Sequence, residues 1–191
     1  MPDPDVKVFA QLMNLRKVGE THPAVLVVMY LSAFLHPDKI PFEIFTEYFP
    51  VGYQFPEGKD RTWIEKEVLP TLGRWVLLRL DLNERTARTD EKTSDAVRLE
   101  MRPDERRAHV EGLLNAMNRL IPAYKPGVSF ELYNRLDAHV RVLLHHSIKC
   151  GLNGNAGGQE LVKKVVDYLQ GQDKVDDANA FTSSLLAAVK K

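Results

Sequence analysis

Trp75-Val76-Leu77-Leu78-Arg79-Leu80-Asp81-Leu82 is the one run in this chain that reads as β structure. Apolar and charged residues alternate over its second half, Asn83-Glu84-Arg85 supplies a turn, and Thr86 to Thr89 can return as a short partner strand. That makes one hairpin at most. Both flanks read as helix, so the fold class is mainly α, and the order of the helices around the hairpin specifies it further.

Before the hairpin, Arg61 to Trp75 has helical spacing, with Ile64, Val68, Leu72 and Trp75 on one face. Pro70 must kink or restart this helix, because a proline in a helix interior removes a hydrogen bond and costs about 3 kcal/mol. Pro41 to Tyr48 reads as a short helix with a heavy aromatic face, followed by an irregular loop holding Pro50, Gly52, Pro56 and Gly58. Thr21 can cap the helix before that, with Pro23 tolerated in its first turn. This helix runs to about Leu35, is apolar on nearly every side, and should be central. Val6, Phe9, Ala10, Met13 and Leu15 give an earlier helix that ends near Gly19.

After the hairpin everything from Thr93 onward is helical in pattern. Pro103-Asp104-Glu105 opens a strong helix, since proline suits the first turn and acids suit the positive end of the helix dipole. Ser129 caps another that reaches about Cys150, Gly151 to Gly158 is a glycine-rich break, and two further helices cover Gln159 to Gln170 and Asp176 to Lys190. Helices leading into a single hairpin are in the order of a winged helix. The expected organisation is a winged-helix domain over residues 6–101 and a helical extension over 102–191, with a loop break at 151–158.

Composition excludes several classes. Of 191 residues, 44% are hydrophobic and 27% charged, enough apolar material for a core and too much for a disordered chain. Lysine plus arginine number 26 and aspartate plus glutamate 26, so no global charge draws the chain to nucleic acid or a membrane surface. A single cysteine, Cys150, rules out an internal disulfide framework and fits a reducing compartment. The acidic, proline-rich start is unlike a secretory signal, and the apolar run from Ala24 to Leu35 is too short to span a bilayer, which needs about 20 residues. A soluble, cytoplasmic protein is expected, without a membrane partner.

Three stretches carry a resemblance as well as an order. His22-Pro23-Ala24-Val25, then Tyr30-Leu31-Ser32-Ala33-Phe34-Leu35-His36-Pro37-Asp38-Lys39-Ile40-Pro41, then Ile44-Phe45, resembles the start of the winged-helix domain in STAND (NB-ARC type) ATPases that carry tetratricopeptide repeats. That family shows a His-Pro entry, an apolar helix ending near Ala-Phe-Leu, and Pro-Asp-x-Ile-Pro before a short helix. Leu72-Gly73-Arg74-Trp75-Val76-Leu77-Leu78-Arg79-Leu80-Asp81 resembles its last winged helix running into the wing, and Pro103 to Val110 resembles the helix leading on to the repeats. The resemblance covers roughly Val6 to Ile121 and extends weakly to His146. It implies a non-catalytic regulatory and protein-contact module. Its partner would be a nucleotide-binding domain, in cis or in trans, or another signalling protein.

Two departures limit what carries over. The family's phosphate loop, Gly-x4-Gly-Lys-Ser/Thr, does not occur in this chain, and with it the nucleotide-binding half is missing. Where the family places a phosphate-sensing histidine after the wing, the count falls at about Asp90, and an aspartate would repel a phosphate. No nucleotide-binding or other cofactor-binding residue is therefore assigned.

Other constellations compete with plain packing. His139, His146 and Cys150 share a helical face and have metal-ligand character, but zinc wants four ligands and no fourth lies nearby. Cys150 with His145 or His146 lacks an oxyanion loop, so no thiol chemistry is assigned. Asp173, Asp176 and Asp177 lack the rest of a calcium loop and suit a helix start, while Glu65 and Glu67 point to different faces. No catalytic residue and no metal ligand is assigned. Arg98, Arg102, Arg106 and Arg107 form a basic cluster whose default reading is a solvated face. A DNA-binding winged-helix regulator is the alternative function, weakened because Arg61, Lys66 and Arg74 are balanced by Asp60, Glu65 and Glu67, so nucleic acid is not the expected partner. The site assigned is a partner-binding aromatic patch of Phe42, Phe45, Phe49, Tyr53 and Phe55, whose competing reading is core packing.

Overall fold

An apolar helix with no polar face has to be surrounded, and the other elements surround it. The structure, a computed structural model, describes residues 6–49 and 55–190. Helix α1 (Val6–Thr21) precedes the apolar helix α2 (Pro23–Ser32), in which Val25, Val28, Met29 and Leu31 are buried. A two-residue strand β1 (Ile40–Pro41) runs directly into α3 (Phe42–Tyr48). The next rod consists of α4 (Arg61–Trp63), a π-helical turn (Ile64–Val68) and α5 (Leu69–Arg74). The wide turn answers Pro70: the ring would collide with the carbonyl one turn back, and the ladder shifts so that Leu69 N–H reaches the Ile64 carbonyl.

The hairpin follows as β2 (Arg79–Asp81) and β3 (Thr86–Arg88). It is shorter than the apolar run suggests. Leu77 N–H and Leu78 N–H both donate to the Leu72 carbonyl, so Trp75 to Leu78 closes the preceding helix before the strand begins. Val76 turns the chain with φ at 57°, a conformation that a β-branched residue seldom adopts. The Asp81 carboxylate accepts from Asn83 N–H and Glu84 N–H, 3.0 Å each, and folds the turn.

Strand β1 joins this hairpin to make a three-stranded antiparallel sheet in the order β1-β3-β2, with Ile40 opposite Ala87 and Leu80 opposite Ala87 from the other side. Pro41 can sit in β1 because the strand is an edge and needs no second donor there. Helices α2, α3 and α4–α5 with this sheet order make a winged-helix arrangement, mainly α with one hairpin and an added edge strand. Thr21 does not cap α2: its hydroxyl donates back to the Val18 carbonyl at 3.1 Å, and His22 stands at the cap position without a side-chain bond.

Helix α6 (Glu91–Glu100) follows the wing, and Met101 breaks it in an extended conformation before α7 (Pro103–Leu120). Helix α7 packs along α3 so closely that a Cβ on Gly112 would stand 2.5 Å from the Tyr48 ring. Helices α8 (Glu131–Lys149), α9 (Ala156–Gly171) and α10 (Val175–Val189) complete the chain. The glycine-rich break is shorter than its composition suggests. Asn155 caps α9 by accepting from Gly157 N–H at 2.8 Å and Gly158 N–H at 3.3 Å, which draws both glycines into the first turn.

Candidate functional site

In a nucleic-acid-binding winged helix the third helix and the wing supply free cations. Here Arg61, Arg85 and Arg88 are taken, together with the flanking Lys59 and Lys39, while Lys66, Arg74 and Arg79 stand in no ion pair among the described residues. Arg61 pairs with Glu47 at 3.3 Å, Lys59 with Glu67, Arg85 of the wing turn with Glu65 at 2.7 Å, Lys39 with Glu84 at 3.0 Å and Arg88 with Asp38 at 2.5 Å. Exposed pairs like these contribute little to stability, about 0–1 kcal/mol each. Their effect is on the field: each of these five cations has a carboxylate against it, which lowers the positive potential of the face. The hydrogen bond from Lys59 and the one from Trp63 hold the Glu67 carboxyl below its ordinary range, so it stays charged. Hydrogen bonds from the Thr62 side chain and backbone do the same for Asp60, which caps α4.

Helix α1, whose Gln11 side chain donates to the Val76 carbonyl at 3.2 Å, presents apolar side chains to solvent. Leu15 and Val18 turn inward, while Val6, Phe9 and Met13 are 82%, 56% and 49% exposed. The helix is thus apolar on two sides, one packed and one open.

The aromatic patch expected at the surface is corrected by the fold. Phe42, Phe45 and Phe49 are 3%, 0% and 0% exposed, packed where α3 meets α7 and the π-helical turn. A partner cannot reach them. Phe55 is half-buried, its ring 6.3 Å from both Phe49 and Trp63, and belongs to the same cluster. Tyr53 lies outside the described residues.

The histidines do not gather with Cys150 into one cluster. His139 is buried, with Nε2 3.1 Å from the Lys39 carbonyl oxygen and His36 edge-on at 6.0 Å. His146 stands edge-on to Phe34 at 5.4 Å, and the Cys150 thiol, half-buried, is raised by that burial although Arg106 and Arg107 act the other way. Among the described residues no group of three or more His, Cys, Asp or Glu is placed to hold a metal ion. Asp176 and Asp177 occupy the first turn of α10, and Asp173 precedes it in a left-handed turn. Glu65 and Glu67 each serve an ion pair of the third helix.

Asp90 has a structural task. Its carboxylate caps α6 by accepting from Lys92 N–H at 3.1 Å, and Lys7 of α1 pairs with it at 3.3 Å. Partial burial works to raise its pKa, but these partners outweigh it and hold the carboxyl below its usual range.

Sequence reasoning missed two features. One is a second aromatic cluster, in which Tyr133 stacks on Tyr168 at 4.6 Å with Tyr124 and Phe130 around them; four aromatics scattered over 45 positions give no local signal. The other is a cleft between α6, α7 and α8 into which Arg98, Arg106 and Arg107 of the basic cluster turn, while Arg102 turns away to Asp104 and Glu105. Among the described residues no helix is long and apolar enough to cross a membrane. No protein-family model matches the chain, and no curated protein or solved structure matches it.

Proposed function

We propose that the chain is a non-catalytic regulatory module that docks on protein through its winged-helix unit, as the corresponding region does in STAND (NB-ARC type) ATPases carrying tetratricopeptide repeats. The observation that carries this reading is the pairing of Arg61, Arg85 and Arg88 on the third helix and wing, and of Lys59 beside them, with carboxylates: a winged helix that commits these cations to its own acids is built for a protein surface better than for phosphates. The open apolar face of α1 supplies a second element of contact.

The resemblance fits this frame at each of its three pieces. His22-Pro23 opens α2, Pro37 to Pro41 carries the chain into β1, and Leu72 to Asp81 spans the joint from α5 to the wing. Pro103 opens α7 after the extended break at Met101, which supports a division into a unit over 6–101 and an extension over 102–191. The partner is a nucleotide-binding domain of the same class, in cis or in trans. Asp90, occupied as a cap, supports a module that holds such a domain in place without reading its nucleotide.

Two titrations test this. Duplex DNA at physiological salt should give no binding beyond the weak non-specific range, about 10⁻⁴–10⁻⁶ M, and an ADP-loaded nucleotide-binding domain from a repeat-bearing NB-ARC ATPase should bind in a saturable way. Tight DNA binding that weakens steeply with salt would establish the DNA-regulator alternative in its place.

A further inference from the structure

The cleft bounded by α6, the start of α7 and the end of α8 has a volume of about 720 Å³. Four cationic side chains line it: Arg98, Arg106, Arg107 and Lys149. Arg98 is neutralised in place, donating to the Ala33 carbonyl and pairing with Asp95. Arg106 is oriented without being neutralised, because its donors go to carbonyls, Nε to Met101 at 2.9 Å and Nη2 to Leu99 at 3.4 Å. Arg107 and Lys149 have no ion-pair partner among the described residues. Asp104, the other carboxylate of the lining, lies 3.4 Å from Arg102.

Three positive charges therefore converge on one concavity with no carboxylate against them. Their mutual repulsion opposes folding, and a bound polyanion would remove it. Two guanidinium groups and an ammonium suit a phosphate, which accepts from several donors at once. His146, which also lines the cleft, is held near pKa 4, first by burial and then by Arg98 and Lys149, so it is neutral at physiological pH and adds no competing charge. Leu99 and Pro103 form an apolar wall on which the carbon part of a ligand can rest.

We propose that this cleft binds a small molecule carrying a phosphate or diphosphate group. The inference is independent of the docking role proposed above, which uses the third helix, the wing and α1.

Cys150, the chain's single cysteine, lines the same cleft and serves as a built-in reporter. An anion seated against Arg106 and Arg107 removes the two charges that favour its thiolate, and so slows alkylation. With the full chain, inorganic pyrophosphate should slow iodoacetamide labelling of Cys150 by about tenfold, saturably and less so at high salt. The exposed pair Arg107→Ala with Lys149→Ala should weaken that protection by at least about tenfold, and Arg79→Ala on the wing should leave it unchanged. Labelling that is indifferent to pyrophosphate in the unaltered chain overturns the proposal, whether or not the double variant folds. Protection by a phosphoserine peptide with none from pyrophosphate or a sugar phosphate overturns it as well, since the site would then read a protein.

Discussion

Helices α3 and α1 both carry apolar side chains at helical spacing, and the fold treats them in opposite ways. Phe42, Phe45 and Phe49 are enclosed by α7 and the π-helical turn, whereas Val6, Phe9 and Met13 stand in solvent on a helix whose other side is packed. Burying one such side chain contributes about 1.5–3 kcal/mol. On α3 that contribution is collected within the chain; on α1 it is left available to another surface. Both triplets are apolar and share one period, so what separates a core face from an exposed one is which neighbour the chain brings back, and α7 returns from more than fifty residues away to cover α3.

The largest effect expected from this contrast is at Phe45, which is fully buried. Phe45→Ala removes a ring from a close-packed site and should lower stability by about 3–5 kcal/mol, read from urea or thermal unfolding. A loss below about 1 kcal/mol would mean that α3 is not a core element, and the contrast with α1 would fail.

Acid should act on the enclosed side next. Burial holds His139 near pKa 4, with the Lys39 carbonyl and Asp38 pulling upward and His36 downward. The unfolded chain takes up this proton near pH 6.5, before the folded chain does. Stability is therefore full above that pH, falls as pH drops toward 4, and loses nothing more from this residue below it. At about 1.4 kcal/mol per pH unit the loss approaches roughly 3 kcal/mol, and His146, likewise held near 4, adds to it in the same direction. His139→Gln should flatten the stability profile across that window. A slope unchanged by the substitution would show that the β1–α8 junction is open to water.

How far such distinctions can be read from residues alone depends on whether they are local. The wing, the central position of α2 and the opening of α7 at Pro103 rest on patterns a few residues long, and each is found where its pattern stands. Strand β1 is two residues, too short for any period, and Pro41 argues against a strand until an edge is known to exist. Trp75 to Leu78 has strand-like content, but its amides go to the Leu72 carbonyl. The arginine cluster shows the same limit: its composition is plain, yet Arg98 finds a carbonyl at Ala33, 65 positions away, and only that partnering separates neutral from unneutralised cations. Likewise Phe42, Phe45 and Phe49 have a helical period that a core and an exposed patch would share.

The smallest effect on stability, and the one that tests the contact role, is on α1. Phe9→Ser with Met13→Ser removes two exposed apolar groups, so at about 0.5 kcal/mol for each surface substitution unfolding should shift by no more than about 1 kcal/mol. The same double variant should lose saturable binding to the ADP-loaded nucleotide-binding domain, because contact residues that end in a buried patch centre carry most of an interface's energy. Lost stability with retained binding would reverse the assignment: the face would then be part of the fold's own packing, and the docking surface would have to lie on the third helix and wing alone.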